Sequence, residues 1–502
     1  MFRRAQTKRL LAAALALLFL LVPAAAFADG HMNASCTIEV HAQNVNMKNL
    51  TDFTFSTTVH FETNDWFTVK WTDEKPVKAV YWEWLHIPAR ALVEMLNDAG
   101  EVVSSRAYAD KIRFLTVFPE ESVHEIRMTV LEGGGDMAEL FTYSAKQVPA
   151  KAVPWEEPLD KADILLVETH GNDDALIFGA VIPTYTDRGY KIQVADIACD
   201  TIGRQRESAG GSYHMGLKNF KTFFEFTGWH TNNYQEFVKD WLSQSPDPYE
   251  LLTAEIRRVR PEVVITHDIE NGDNGDGSHK LTAEIVQKCI ETAADPAQYP
   301  ESAAQYGVWQ VKKLYFHNYA ENRITIDIDT PLESFGGKTA YELSLEGIKL
   351  WHSGDDTVSI SRVRSRSYAP SDYGLAFSTV GEDVLKNDFL ENIPEEALSD
   401  YIPPTPEPTP EPTPEPTPEP TPEPTPEPTE QPIAAVEVDG SPEAMPESSE
   451  SPAEAVKTPE PAGQVRIPTA LLVSVIACAV LLIACMIAWI HVKKRQRKRS
   501  ND

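Results

Sequence analysis

Cysteine is scarce, with five in 502 residues. Only Cys36, Cys199 and Cys289 fall in the body of the chain. An odd number leaves at least one unpaired, which excludes a small disulfide-stapled scaffold. Basic side chains are also in short supply, 45 against 75 acidic ones, for a net charge of −30. Both ends of the chain are basic, so the deficit is concentrated between them. A surface of that sign repels phosphate backbones and excludes nucleic-acid binding as the main role. The length allows two or three folded units, and the uneven composition excludes a single compact globule.

The ends are specialised. Arg3, Arg4, Lys8 and Arg9 precede an apolar run from Leu10 to Val22, and Ala26-Phe27-Ala28 offers an A-x-A cleavage site. Residues 1–28 therefore read as a secretory signal, too short in apolar core for a bilayer span of about 20 residues. From Ile467 to Val492 there is no charged residue, and Lys493, Lys494, Arg495, Arg497, Lys498 and Arg499 follow. Residues 466–492 are expected to form one transmembrane helix, with the basic tail 493–502 in the cytoplasm. No LPxTG-like sorting motif precedes it.

Between body and anchor, Thr405–Pro428 is six copies of T-P-E-P. Proline fixes φ and removes backbone donors, and the glutamates repel one another. Residues 401–465 are expected to be a disordered, extended spacer of about 3.1 Å per residue. The expectation is a single-pass protein of the cell membrane with its bulk outside. Export without cystines suits a Gram-positive bacterial surface.

The body divides in two. In residues 31–155, Phe53, Phe55, Thr57, Val59 and Phe61 alternate with polar neighbours. So do Phe67, Val69 and Trp71, then Val80, Trp82 and Trp84, then Ile126, Met128 and Val130. Period two with aromatic and β-branched enrichment predicts half-buried strands in an antiparallel β-sandwich. Asn97-Asp98-Ala99-Gly100 is a turn signal. Trp66, Trp71, Trp82 and Trp84 are read mainly as core, with sugar binding as the other possibility.

In residues 156–400 the pattern changes. Ile164–Val167, Tyr190–Ile197 and Glu262–Thr266 are short apolar runs separated by helix-like stretches to about Asp187 and over Glu250–Val259. This predicts an α/β layered, Rossmann-like domain with a mostly parallel sheet, whose sites lie at the carboxyl ends of strands. Polar clusters stand at two such ends, His170–Asp174 and His267–His279. His170 and Asp173 can reach one cation, and His279 opens a further helix. Two imidazoles and one carboxylate leave a zinc ion with an open position, the catalytic pattern. Spacing alone leaves open the alternative of scattered loop polars in a chain with 13 histidines.

The stretch His170-Gly171-Asn172-Asp173-Asp174, running on to Gly179-Ala180, resembles the first motif, H-P-D-D-E, of the PIG-L/LmbE family of N-acetylglucosaminyl deacetylases. Arg204-Gln205-Arg206-Glu207 resembles the family's R-x-x-E, and Arg260–Thr266 its R-P-D-V-V strand. Asp276-Gly277-Ser278-His279 stands where its H-x-x-H lies. Tyr373-Gly374-Leu375 and Ser378–Gly381 resemble a tail of some bacterial members. The resemblance covers about residues 160–395, with a galactose-binding-like sandwich before it, faintly legible in Val77–Val103 and Ile126–Val130. It implies Zn2+ held by His170, Asp173 and His279, Arg204 meeting a polar substrate, and removal of acetyl from an N-acetylated amino sugar or glycan.

This chain departs from the motifs at two positions. The family's general base is replaced by Asn172, and an amide cannot accept a proton from a metal-bound water. Losing a general base costs about 10²–10⁴ in rate. The first histidine of the second motif is Asp276, whose charge opposes a developing oxyanion. Asp276 or Asp174 is a candidate substitute base. The alternative is a retained zinc site with little turnover that binds cell-surface carbohydrate. Local hydrogen bonding accounts for His267, His214 and His352 as well as any site role does.

Overall fold

The alternating segments pair into two antiparallel sheets. Their strands are β1 (Thr37–His41), β2 (Val59–Phe61), β3 (Trp66–Lys70), β4 (Ala79–His86), β5 (Arg90–Leu96), β6 (Val102–Ala109), β7 (Phe114–Val117), β8 (Glu125–Glu132) and β9 (Gly135–Tyr143). Five run in the order β1-β3-β8-β5-β6 and four in the order β2-β9-β4-β7. The computed structural model describes residues 36–144, 148–150, 152–199, 201–228, 233–351 and 368–399. All of these lie in one compact unit, Met1–Thr409. The leader, the spacer 401–465, the apolar segment 466–492 and the basic tail lie outside the described residues. Among the described residues, no helix is long and apolar enough to cross a membrane.

Every second residue of β8 is buried, and Ile126, Met128 and Val130 face the core. Trp71, Trp82 and Trp84 are buried there too, while Trp66 stacks on His41 with ring centroids 5.5 Å apart. Asn97 accepts the Ala99 and Glu101 amides in the expected turn. The run from Phe53 is a strand only over Val59–Phe61. Before it, Asp52 accepts the Thr54 amide at 3.2 Å and the Thr57 hydroxyl at 2.7 Å. Such local side-chain bonds compete with a strand ladder.

The second domain holds β10 (Ile164–Glu168), β11 (Ile192–Asp196), β12 (Thr222–Phe223), β13 (Val263–Thr266), β14 (Lys313–His317), β15 (Arg323–Thr325) and β16 (Asp372–Ser378). Their order is β12-β11-β10-β13-β14-β16-β15. The first five are parallel, and β16 and β15 close one edge antiparallel. The helices are α1 (Asp173–Leu176), α2 (Val181–Asp187), α3 (Ile202–His214), α4 (Tyr234–Trp241), α5 (Pro248–Val259), α6 (Gly277–Ala294), α7 (Pro300–Tyr306) and α8 (Ala340–Trp351). The helix expected to run to Asp187 is broken into α1 and α2. The Phe178 amide bonds the Asp173 carbonyl at 2.8 Å in a wider turn. A Cβ at Gly179 would meet Ser344 of α8.

The chain enters the sheet at β10, adds β11 and β12 on one side, then crosses to β13 on the other. The carboxyl ends of β10 and β13 therefore flank the topological switch point, where such sheets bind ligands. The two domains share packing. Ala209 and Phe220 join the sandwich core, and Arg206 of α3 pairs with Glu83 of β4 at 2.6 Å.

Candidate metal centre

Four side chains converge at the switch point. His170 and Asp173 come from the turn after β10, His267 directly follows β13, and His279 lies in the first turn of α6. The loop before α6 ends at Asp276, whose carboxylate caps the helix by accepting the Ser278 amide at 2.8 Å. A cap of this kind satisfies a helix-end donor and fixes where the helix starts. It sets the His279 ring over the β10 turn.

Asp173 Oδ2 accepts the His170 amide at 2.7 Å. The same oxygen lies 3.4 Å from His170 Nδ1 and 3.4 Å from His279 Nε2. Those two nitrogens are 2.9 Å apart. Donors about 2.0–2.1 Å from a tetrahedral zinc stand roughly 3.3 Å from one another, so this triangle has the right size. His170 Nε2 donates to the Gly228 carbonyl at 2.7 Å. That bond directs the Nδ1 lone pair toward the triangle. His279 Nδ1 is buried with no hydrogen-bond partner among the described residues.

His267, which directly follows the Arg260–Thr266 segment, is drawn into the site although the sequence assigned it no ligand role. Its Nε2 lies 3.4 Å from Asp173 Oδ2 but accepts the Thr169 amide at 3.0 Å. Its lone pair is therefore engaged, and its role is to support. Its ring stacks on His279 at 4.1 Å and 10°. Its Nδ1 meets Asp273 Oδ2 at 2.6 Å, and Asp273 Oδ1 meets His317 Nδ1 at 2.5 Å. Burial alone would raise the Asp273 carboxyl, but His317 and His267 outweigh it and hold it well below the usual range. Burial also disfavours charge on Asp173, yet His279 and His170 hold it well below its ordinary value. His170 is pushed the other way, to about 9. Burial opposes that rise, and the Asp173 charge overcomes it.

The remaining sequence candidates have distinct surroundings. Asn172 is 8% exposed, precedes α1, and its side chain caps no amide. Asp276 offers an oxygen within 4.8 Å of donor atoms on His170 and His279. Burial would raise its carboxyl, but the two imidazoles bring it below the ordinary value. Asp174 is buried and accepts from Ser212 and Lys221. Lys221 also donates to Glu168, the cross-strand neighbour of Asp196. Burial pushes Asp196 up to about 7, with Lys221 opposing. Arg204 lies over the Trp351 ring at 5.2 Å. His214 bonds the Ala150 carbonyl, and His352 lies outside the described residues.

Sequence reasoning placed His267 and Asp273 within the polar cluster His267–His279 without giving either a role at the site, and it passed over His317. The one available signal was position, since His267 and His317 stand at the carboxyl ends of neighbouring parallel strands.

No family model matches the chain. It is 24% identical over 256 residues to the 1D-myo-inositol 2-acetamido-2-deoxy-alpha-D-glucopyranoside deacetylase 1 of Catenulispora acidiphila, covering 45% of this chain and 77% of that protein. A deacetylase of the same substrate name from Geodermatophilus obscurus is 26% identical over 183 residues, 30% of this chain and 60% of that one. Among solved structures, the N,N'-diacetylchitobiose deacetylase of Pyrococcus horikoshii aligns with 13% identity over 45% of this chain and 87% of its own, at a TM-score of 0.32. The family 32 CBM of C. perfringens NanJ aligns with 14% identity over 22% and 93%, at a TM-score of 0.18. Over about residues 160–395 the chain resembles the PIG-L/LmbE-like N-acetylglucosaminyl deacetylases, and an antiparallel β-sandwich stands before that region.

Proposed function

We propose that this chain is a zinc-dependent hydrolase that removes the acetyl group from an N-acetylated amino sugar or glycan. The carrying observation is the triangle of His170 Nδ1, Asp173 Oδ2 and His279 Nε2, with sides of 2.9 and 3.4 Å. The names of the relatives support the substrate class. Zinc held there would supply a water of lowered pKa and polarise a substrate carbonyl. Asn172 cannot take the proton of that water, but it can hold the water or the acetamide by hydrogen bonds. Asp276 is the carboxylate beside both donor histidines, and it is the residue assigned to accept the proton. Asp174 is engaged by Ser212 and Lys221, which leaves it a supporting part. Arg204 meets the polar substrate. The leader and the apolar segment 466–492 support a membrane-anchored protein with its body outside.

The proximity of Asp276 to His170 and His279 also favours a second reading. With Asp276 as a fourth ligand, the site would be closed, as in structural zinc sites. The protein would then bind carbohydrate without turnover. The deciding experiment measures zinc content and acetate release from acetylated amino sugars with the same preparation. The hydrolase reading expects about one zinc per chain, lost in His279→Ala, together with turnover that Asp276→Asn abolishes. Full zinc occupancy without acetate release would favour the closed site. Zinc that persists in His170→Ala/His279→Ala would reject the donor set.

A further inference from the structure

Arg113 belongs to the sandwich, just before β7, and sits far from the metal donors in sequence. Its guanidinium donates to two backbone carbonyls of its own domain, Leu85 at 2.6 Å and Trp84 at 3.3 Å. Its remaining Nη2 crosses to the second domain and meets Glu225 Oε1 at 2.9 Å. The same carboxylate oxygen accepts Gln205 Nε2 of α3, also at 2.9 Å. Gln205 is 1% exposed and is itself tied to the Cys199 carbonyl at 2.9 Å. Two donors from two domains therefore converge on one oxygen of Glu225.

Glu225 has φ of 64°. A non-glycine residue is held in the left-handed region only where its surroundings fix it. Three residues later, the Gly228 carbonyl accepts His170 Nε2. The strand-like segment between them runs along the end of β11, with the Phe224 and Phe226 amides on the Asp196 and Ile197 carbonyls. There is no slack at Gly228. A Cβ there would stand 2.6 Å from the Ala198 carbonyl oxygen and 3.1 Å from His170 Cδ2. The position of this segment thus sets both the hydrogen bond and the packing on the His170 ring.

We propose that Arg113, acting through Glu225 and the segment 224–228, is a positioning residue for His170, so that the sandwich domain forms part of the support of the metal centre. The proposal rests on the donor role assigned to His170. Outer hydrogen bonds fix the ring orientation and tautomer of a ligating histidine, and losing one typically weakens metal binding by about 10–100-fold. Arg113 and Glu225 both line a cavity of 260 Å³ at the junction. A shortened side chain there enlarges an existing space rather than opening a void in a packed core.

The experiment uses the full chain in its wild-type, Arg113→Gln, Glu225→Ala and double-variant forms. Zinc affinity is measured by chelator competition, and the histidine side chains are followed by 15N–1H spectra of the metal-free protein, with His170→Asn assigning the His170 resonance. Each single variant is expected to bind zinc about tenfold or more weakly. The double variant is expected to be no worse than the singles, because both break one link. The His170 Nε2–H signal should shift in all three, while the thermal midpoint of the metal-free protein stays within reach of wild type. Unchanged zinc affinity, or additive losses in the double variant, would overturn the link. If the wild type binds no zinc, the hydrolase reading fails on its own. The His170 resonance then decides this proposal, and an unshifted signal overturns it.

Discussion

At position 172 the chain carries an amide, buried beside His170 and Asp173, and an amide neither takes nor gives a proton near neutral pH. Asn172→Asp places a carboxylate where the resembled family has its base. Acetate release is expected to rise about tenfold or more, toward the 10²–10⁴ that general bases contribute. Steady-state rates of the variant and wild type check this, with zinc content measured alongside. If Asp276 already accepts the proton, Asn172→Asp adds little and Asp276→Asn removes turnover. Coupling between the two positions is expected, since both would face one substrate. The His170 to Asp174 motif was legible in the sequence because its members are local, set by one turn after one strand. His267 was not legible as a site residue. Its partners Asp173 and Asp273 reach it from either side of the switch point, and only the fold shows that its Nε2 is occupied by the Thr169 amide.

At the scale of elements, α6 carries His279 at its start and is tied down at its end by Arg257 of α5. That guanidinium is fully buried. It donates to the carbonyls of Ala293, Thr292, Asp295, Gln298 and Tyr299 and to the Ser302 hydroxyl. The acceptors lie at the end of α6, in the turn after it and in the first turn of α7, so one buried cation joins all three. Arg257→Ala removes the hydrogen bonds of a charged donor, at about 1.5–3 kcal/mol each before the backbone donors that several of these carbonyls keep compensate, and it empties the volume of a fully buried side chain. A loss of about 2–4 kcal/mol is expected, read as a lowered denaturation midpoint of the second domain. A midpoint equal to wild type would refute the role.

Strands β4 and β9 set a different expectation. Glu83 and Glu139 are directly opposed in the ladder, both buried, with Arg206 paired to Glu83. Burial first, then the Glu83 and Asp52 charges, push Glu139 up to about 8 from an ordinary 4.5. Below 4.5 both folded and unfolded chains hold the proton, and Glu139 adds no pH dependence. Between 4.5 and about 8 only the folded chain holds it, so stability falls as pH rises, and above 8 the loss is complete. Glu139→Gln removes this slope. Its thermal midpoint should match wild type near pH 4.5 and exceed it increasingly up to pH 8. A gap that does not grow with pH would contradict the assignment.

At the scale of the molecule, the two domains are fused through packed side chains. Phe220 meets Phe114 of the sandwich at 5.9 Å and Trp155 at 5.3 Å. Arg206 and Arg113 meet Glu83 and Glu225 across the junction. Under the proposed membrane anchoring, such a body leaves the cell surface in one piece. Protease added to intact cells should cut in the Pro/Glu spacer and release a soluble fragment of about the 29–402 size. Digestion of the basic tail with the body protected would reverse the proposed orientation. Separate release of the sandwich would contradict the fused junction.

What the sequence determined by itself is what rests on neighbours along the chain. Alternation in β8 sorted core from surface, apolar runs marked β10, β11 and β13, and the motif order marked the resemblance over about 160–395. The Phe53 run shows the limit of that logic, because Asp52 and Thr57 spent their hydrogen bonds locally and the strand began only at Val59. The tertiary structure alone decided which polar groups meet. Glu83 pairs with Arg206 across 123 positions and Arg113 with Glu225 across 112, while His170 faces His279 across 109. No periodicity encodes such separations. They follow from strand order in the sheet and from the seat of the sandwich on α3, where burial makes each unpaired charge costly and so selects the partner.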